Sequence, residues 1–282
     1  MRKQLLIQLF ALLATLTACM HAGQSNKGDI EVFILIGQSN MVGTAREYQI
    51  KDPLPQARQD ILYSYQLPRL PWKESSVDIS SDGFVALDTY TKAGQRRWGP
   101  ELTLGPALKD TYLDGQAIAL IKFARGGSNL FADWDVDATK GAQLYSQSLE
   151  YIRAQLDALR QMGYNPELRG AFWFQGEGDS NKKLKNAEAY AQNLRDLIAA
   201  YRSELGLEQL PFVLARINPT KPSSIHAPIV RQAIVEVAES DPAADWVNTD
   251  DLTFPDRVHV DGYGQYTVGK RMAAKWAELA KR

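Results

Sequence analysis

The chain has 282 residues, 45% of them hydrophobic and 23% charged, with a formal net charge of −1. That is enough apolar chain for a sizeable core. It excludes a nucleic-acid binder, which would need a basic excess or Lys/Arg runs interleaved with aromatics, and it excludes a disulfide-built scaffold, because Cys19 is the only cysteine.

The first segment is a targeting signal rather than part of a fold. Arg2 and Lys3 form a short positive region, and Leu5 to Leu16 is an apolar run too short to span a bilayer. The run ends in Leu16-Thr17-Ala18-Cys19, which resembles the lipobox of bacterial lipoproteins, where cleavage precedes a lipidated cysteine. An ordinary secretory signal is the alternative. The expected organisation is a signal peptide over 1–18, a small polar tether over 19–28, and a single domain over 29–282. Export with a lipid anchor on Cys19 would be the chain's only membrane contact, on the outer membrane or the periplasmic face in a Gram-negative cell. Losing the leader removes two cations and no acid, so the net charge falls from −1 to −3.

Beyond the tether, short apolar runs alternate with helical patterns. Asp29–Ile36, Ile61–Tyr65, Ala117–Phe123, Gly170–Phe174 and Phe212–Ile217 read as strands, several of them continuous, as suits strands buried on both faces. Pro100–Asp110, Ala142–Met162, Ala187–Leu205, Ile229–Glu239 and Gln265–Leu279 read as helices. The second of these carries Leu144, Leu149, Ile152, Leu156 and Leu159 on one face and stops at Gly163. This alternation predicts an α/β fold, a three-layer α/β/α sandwich around a mostly parallel sheet of five strands. Thr44–Gly99 holds one credible strand and long connections, which above the first strand would form one wall of a binding site.

Three predicted strands end in turns rich in glycine and polar residues: Gly37-Gln38-Ser39-Asn40, Ala124-Arg125-Gly126-Gly127-Ser128-Asn129 and Gln175-Gly176-Glu177-Gly178-Asp179. In open parallel sheets such ends form one edge, where ligands bind. A serine nucleophile there needs a base and an acid to orient it. Of the three histidines, His21 lies in the tether and His226 in a loop with no acid nearby in sequence. His259 follows Asp256 in Asp256-Arg257-Val258-His259, where a tight turn can point both side chains the same way. The Gly-x-Ser-x-Gly elbow is absent. No His-Glu-x-x-His occurs, and three histidines with one leader cysteine leave little for zinc, so no metal and no cofactor is expected.

The combination of "GQSNM", the Gly-Gly turn, "WFQGEGD" and a terminal Asp-x-x-His resembles the SGNH (GDSL-like) hydrolases. More narrowly, it resembles the branch with the carbohydrate acetylesterases and sialate O-acetylesterases. The resemblance implies a flavodoxin-like sandwich and a serine esterase with Ser39, Asp256 and His259 as its catalytic set. It also implies an oxyanion hole of the Ser39 amide, the Gly127 or Gly126 amide, and the Gln175 side chain in place of the family's usual asparagine. Glu177 braces the neighbouring loops or is a solvated turn acid. Asn40 shapes the turn, and Arg125 contacts a sugar or pairs with an acid. Trp72, Trp98 and Trp134 sit in predicted loops and are candidate sugar platforms. The implied partner is an O-acetylated carbohydrate such as acetylxylan. Sialate O-acetyl groups, and a catalytically inert carbohydrate-binding lipoprotein, are the alternatives.

Overall fold

The computed structural model describes residues 26–69, 77–92, 94–181 and 183–282. The segment expected to be a signal peptide, Cys19, His21, most of the expected tether, and Trp72 lie outside the described residues. In chain order the elements are β1 (Gly28–Gly37), α1 (Ser39–Val42), β2 (Ala45–Arg46), β3 (Arg58–Leu67), β4 (Ile79–Ser80), β5 (Val85–Leu87), β6 (Tyr90–Lys92) and β7 (Gln95–Trp98). Then follow α2 (Glu101–Pro106, running on into a π turn over Ala107–Tyr112), β8 (Ile118–Ala124), α3 (Leu144–Gln161), β9 (Tyr164–Phe174), α4 (Leu184–Glu188) and α5 (Tyr190–Leu205). The chain closes with β10 (Phe212–Ala215), α6 (Ala227–Ser240), β11 (Ala244–Val247) and α7 (Gly262–Leu279).

The main sheet runs β11-β10-β9-β1-β8-β3-β4, with β5 also on β3. Its six strands from β11 to β3 are parallel, while β4 and β5 join antiparallel. β1 lies at the centre, and Ile30 to Gly37 are all buried, so the strand can be apolar without alternation. Side chains alternate across the sheet. On one face Phe33 meets Trp276 of α7 edge-on at 5.0 Å, and a Cβ on Gly105 of α2 would touch Leu120 of β8. On the other face Phe123 packs on Tyr151 of α3, and Trp173 donates to Tyr190 of α5. Helices therefore cover both faces of a three-layer α/β/α sandwich, and the crossovers before and after β8 lie on opposite sides. That reversal around β1 marks the sheet edge where such folds bind ligands.

Three details differ from the sequence reading. The parallel sheet has a sixth strand, β11, whose Asp245 and Trp246 are half-buried at the edge, so it lacks an apolar run. The flavodoxin order 2-1-3-4-5 is carried by β8-β1-β9-β10-β11, and β3 extends the parallel sheet beyond β8 instead of lying within that order. Finally, the 44–99 region is strand-rich: β3 recruits β4 and β5, and β2, β7 and β6 build a separate antiparallel sheet. Strands of two to four residues are too short to show a period.

Candidate active site

The turn after β1 is held from both sides. Gly37 takes φ +148, and a Cβ there would sit 2.3 Å from the Phe174 carbonyl oxygen, so only glycine lets β1 and β9 approach this closely. The Gln38 amide donates to the Phe174 carbonyl at 3.0 Å, and the Arg125 amide donates to the Gly37 carbonyl at 3.1 Å. Three strand ends are thereby joined. Ser39 opens the single helical turn α1, whose last carbonyl, Val42, accepts from Lys122 Nζ at 2.9 Å. That ammonium also meets Glu101 Oε2 at 2.7 Å, with both side chains fully buried. Burial pulls the Lys122 pKa down, and Glu101 opposes the shift. A buried pair of this kind is poor evidence of stability, but it fixes the end of the Ser39 turn from beneath.

The structure brings Ser39, His259 and Asp256 together. Ser39 Oγ lies 2.8 Å from His259 Nε2, and His259 Nδ1 lies 2.6 Å from Asp256 Oδ2. Asp256 Oδ1 accepts from the backbone N–H groups of Val258 and His259 at 3.0 and 2.8 Å. Arg257 makes this possible by adopting φ +66, a left-handed conformation that costs an L-residue about 1–2 kcal/mol. Burial works against the Asp256 charge. The His259 side chain and the amides it accepts outweigh burial and hold the carboxyl below its ordinary value. His226, by contrast, precedes α6 and its amide donates to the Ser180 carbonyl, away from this group.

Asn40 joins the two halves. It is fully buried; its Nδ2 donates to Glu177 Oε1 at 2.6 Å and to the Val258 carbonyl at 3.1 Å, while its Oδ1 accepts from the Val260 amide at 3.1 Å. The residues on either side of His259 are thus clamped to the residue after Ser39, and Glu177 sets which way the Asn40 amide faces. Burial raises the Glu177 carboxyl to about 7, against its hydrogen bonds from the backbone and Asn40. Glu177 is a brace, not a solvated turn acid.

Gln175 is not where the resemblance places it. It is fully buried, and its Nε2 faces Asp179 Oδ2 at 2.7 Å, Gln38 Oε1 at 3.1 Å and the Ser128 carbonyl at 3.2 Å. An amide nitrogen has two hydrogens, so none is left for an oxyanion. The residue that sequence reasoning passed over is Gln38. Its Oε1 accepts from Gln175 Nε2 and, at 3.1 Å, from the Gly178 amide. The amide is therefore oriented with Nε2 toward Ser39 Oγ, 3.5 Å away. The available signal was adjacency: Gln38 directly precedes Ser39.

Gly126 and Gly127 both border the same pocket as Ser39. Arg125 pairs with an acid, Asp133 Oδ1 at 2.7 Å. Trp134 and Trp98 are fully buried and are not sugar platforms. Trp134 packs edge-on against Trp173 at 5.2 Å and donates to Ser128 Oγ at 3.0 Å, supporting the Gly-Gly turn from behind. Trp98 stacks on Tyr266 at 5.9 Å. Each belongs to a short or irregular segment, which on sequence looks like an exposed loop.

Ser39 opens into a cavity of about 890 Å³. Its floor includes Gln38, Ser39, Glu177, Asp256 and His259, and residues of 42–49, 67–68, 77–79 and 90–97 line its wall. A serine hydrogen-bonded to an imidazole that a carboxylate orients can carry out acyl transfer.

A family model described as carbohydrate esterase, sialic acid-specific acetylesterase, matches residues 29–278. A probable carbohydrate esterase of Arabidopsis thaliana is 26% identical over 197 residues, covering 66% of this chain and 68% of its own. An Arabidopsis thaliana protein of known crystal structure superposes with a TM-score of 0.65 at 21% identity, over 89% of this chain and 98% of that one. The crystal structure of a carbohydrate acetylesterase from Xanthomonas citri gives 0.62 at 17% identity, over 89% and 56% of the two chains. The superpositions show a shared fold.

Proposed function

This chain belongs to the carbohydrate esterase family of sialic acid-specific acetylesterases, and from that premise we propose that it removes O-acetyl groups from carbohydrate through an acyl-enzyme on Ser39. The observation that carries the proposal is the Ser39–His259–Asp256 chain of hydrogen bonds at the base of the cavity.

In this reading Ser39 Oγ attacks the acetyl carbonyl carbon as His259 Nε2 takes its proton. Asp256 holds the imidazole by its other nitrogen. The negative charge that develops on the carbonyl oxygen faces the amides of Ser39 and Gly127 and the Nε2 of Gln38. His259 returns its proton to the departing sugar oxygen as the C–O bond breaks. Water then gives His259 a proton and attacks the acetyl-serine, and the proton returns to Ser39 as acetate leaves. Gln175 and Asp179 act through Gln38 as positioning residues.

The finer substrate reading is acetylated xylan or a similar polysaccharide, with O-acetyl sialic acid as the alternative; the breadth of the cavity supports an oligosaccharide occupant. The test is acetate release from acetylated xylan, 9-O-acetyl sialic acid and p-nitrophenyl acetate by wild type, Ser39→Ala and His226→Ala. Wild type and His226→Ala should release acetate, and Ser39→Ala should not. A folded wild type silent on all three esters overturns the proposal and favours an inert carbohydrate-binding protein.

A further inference from the structure

One residue of β8 has no part in the acyl-transfer steps and no place in an apolar core. Ile118–Ala124 is buried along its whole length, yet Lys122 stands in it without any exposure. Lysine and glutamate are almost never fully buried unless paired. Here the partner is Glu101, the first residue of α2, which is equally buried. Taking two charges out of water costs about as much as their attraction returns, so apolar side chains of similar volume would serve the core as well or better. Packing does not account for the pair.

Its contacts do. Lys122 Nζ donates to the Val42 carbonyl at 2.9 Å, at the end of the turn that Ser39 opens. Glu101 Oε1 accepts the Gly99 amide at 2.8 Å, just past the end of β7. Between these two anchor points the backbones touch. A Cβ on Gly43 would lie 2.2 Å from the Gly99 nitrogen and the Trp98 carbonyl carbon, and Gly43 takes φ +90. One ion pair therefore holds both sides of the contact between the nucleophile turn and a strand of the cavity wall. Two neighbouring carbonyls of the turn are held by neutral groups: Asn40 accepts from Gln265 Nε2 at 3.0 Å, and Gly43 accepts from the Tyr90 hydroxyl at 2.6 Å. Lys122 adds a charged donor, whose hydrogen bonds are roughly twice as strong as neutral ones.

We propose that Lys122, anchored by Glu101, is a positioning residue for Ser39: by gripping the Val42 carbonyl it sets where the Ser39 hydroxyl and amide stand. The inference rests on the esterase reading and adds to it a residue that never meets substrate. Ser39 and Val42 are the two ends of a single helical turn, so a shift of the Val42 carbonyl moves Ser39 as well. Ser39 Oγ has to stay beside His259 Nε2, 2.8 Å away, while its amide faces the acyl oxygen. A displacement of about 1 Å in such a constellation can cost about 10²-fold in rate.

The test removes both charges together, so that neither is left unpaired in the interior. Glu101→Gln/Lys122→Met keeps both side-chain lengths and an acceptor for the Gly99 amide. It is compared with wild type by melting temperature and by kcat and KM on p-nitrophenyl acetate and acetylated xylan. The melting temperature should stay within about 5 °C, as for other buried pairs replaced by uncharged groups. On both esters kcat should fall by about 10²-fold while KM moves by less than about twofold. Glu101→Gln alone keeps the ammonium without its anchor; it should lower kcat by about tenfold at unchanged KM, and it decides the matter if the double variant does not fold. A folded variant with kcat within about threefold of wild type overturns the proposal. A fall in kcat that comes with a melting temperature more than about 10 °C lower assigns the pair to the fold and also overturns it, as does failure of both variants to fold. Wild type silent on every ester overturns the esterase reading instead.

Discussion

The floor and the wall of the cavity are built on opposite plans. At the floor, most polar atoms are committed: Asn40 makes three hydrogen bonds, Gln175 shares its nitrogen among three acceptors, and Asp179 accepts the Leu130 and Phe131 amides as well as Gln175, while Glu177 Oε2 is buried without a partner. At the wall, Arg46 of β2 faces Arg97 of β7, neither with a carboxylate partner among the described residues, and Thr44 Oγ1 and Arg97 Nε have no partner. A group that must stabilise a transition state is best held before substrate arrives, because reorganisation then costs nothing during the reaction. A group that recognises substrate must keep bonds to give. Floor substitutions should therefore lower kcat on every ester, and wall substitutions should change KM for particular ones.

The largest effect should come from Ser39→Ala, which removes the acceptor of the acyl group and should lower kcat by about 10⁴-fold or more on all esters alike. Activity on any one ester surviving this change would mean a second route and would erase the distinction between floor and wall. Gln38→Ala comes next. Loss of one oxyanion donor costs about 10²–10³ in kcat, and the loss should be equal for p-nitrophenyl acetate and acetylated sugars, with KM little moved. A loss confined to sugar substrates would transfer Gln38 to the wall.

The floor was readable in sequence only where chemistry restricts the residue type. Ser39, Asp256 and His259 stand out because so few residues can serve, and the structure brings them together. Gln38 and Gln175 are the same residue type at two strand ends, and which one faces the cavity depends on Asp179 and the Gly178 amide, which no local pattern reveals. The central strands β1 and β8 show as continuous apolar runs because both faces are covered. β11 and the small sheet do not, since an edge strand of four residues or fewer has no period to detect. The arginine pair is legible only in the register of β2 against β7.

Glu177 offers a smaller, pH-dependent test of how tightly the floor is set. Its carboxyl is raised to about 7 by burial, against about 4.3 for an exposed glutamate. The folded state therefore holds this proton more tightly than the unfolded chain does. Its contribution to stability is complete below about pH 4 and is lost as pH rises through 7. Glu177→Gln keeps an acceptor for Asn40 and removes the titration. The variant should lose less thermal stability than wild type between pH 5 and pH 8, the two melting curves differing in slope by several degrees. Parallel melting profiles would show that Glu177 is not the group being desolvated.

The smallest effect tests what an aromatic side chain near the site contributes. Trp134 borders the Gly-Gly turn and by sequence looks like a platform for sugar, yet it has no exposed surface. Its indole N–H donates to Ser128 Oγ, which in turn donates to the Arg125 carbonyl at 2.8 Å. It acts on the turn from behind, as part of neither floor nor wall. Trp134→Phe keeps most of the ring contacts and loses that one hydrogen bond, so about 1–2 kcal/mol of stability should go. KM for acetylated carbohydrate should stay within about twofold, because nothing that touches substrate changes. A rise in KM without loss of stability would put Trp134 in contact with sugar and make it part of the wall.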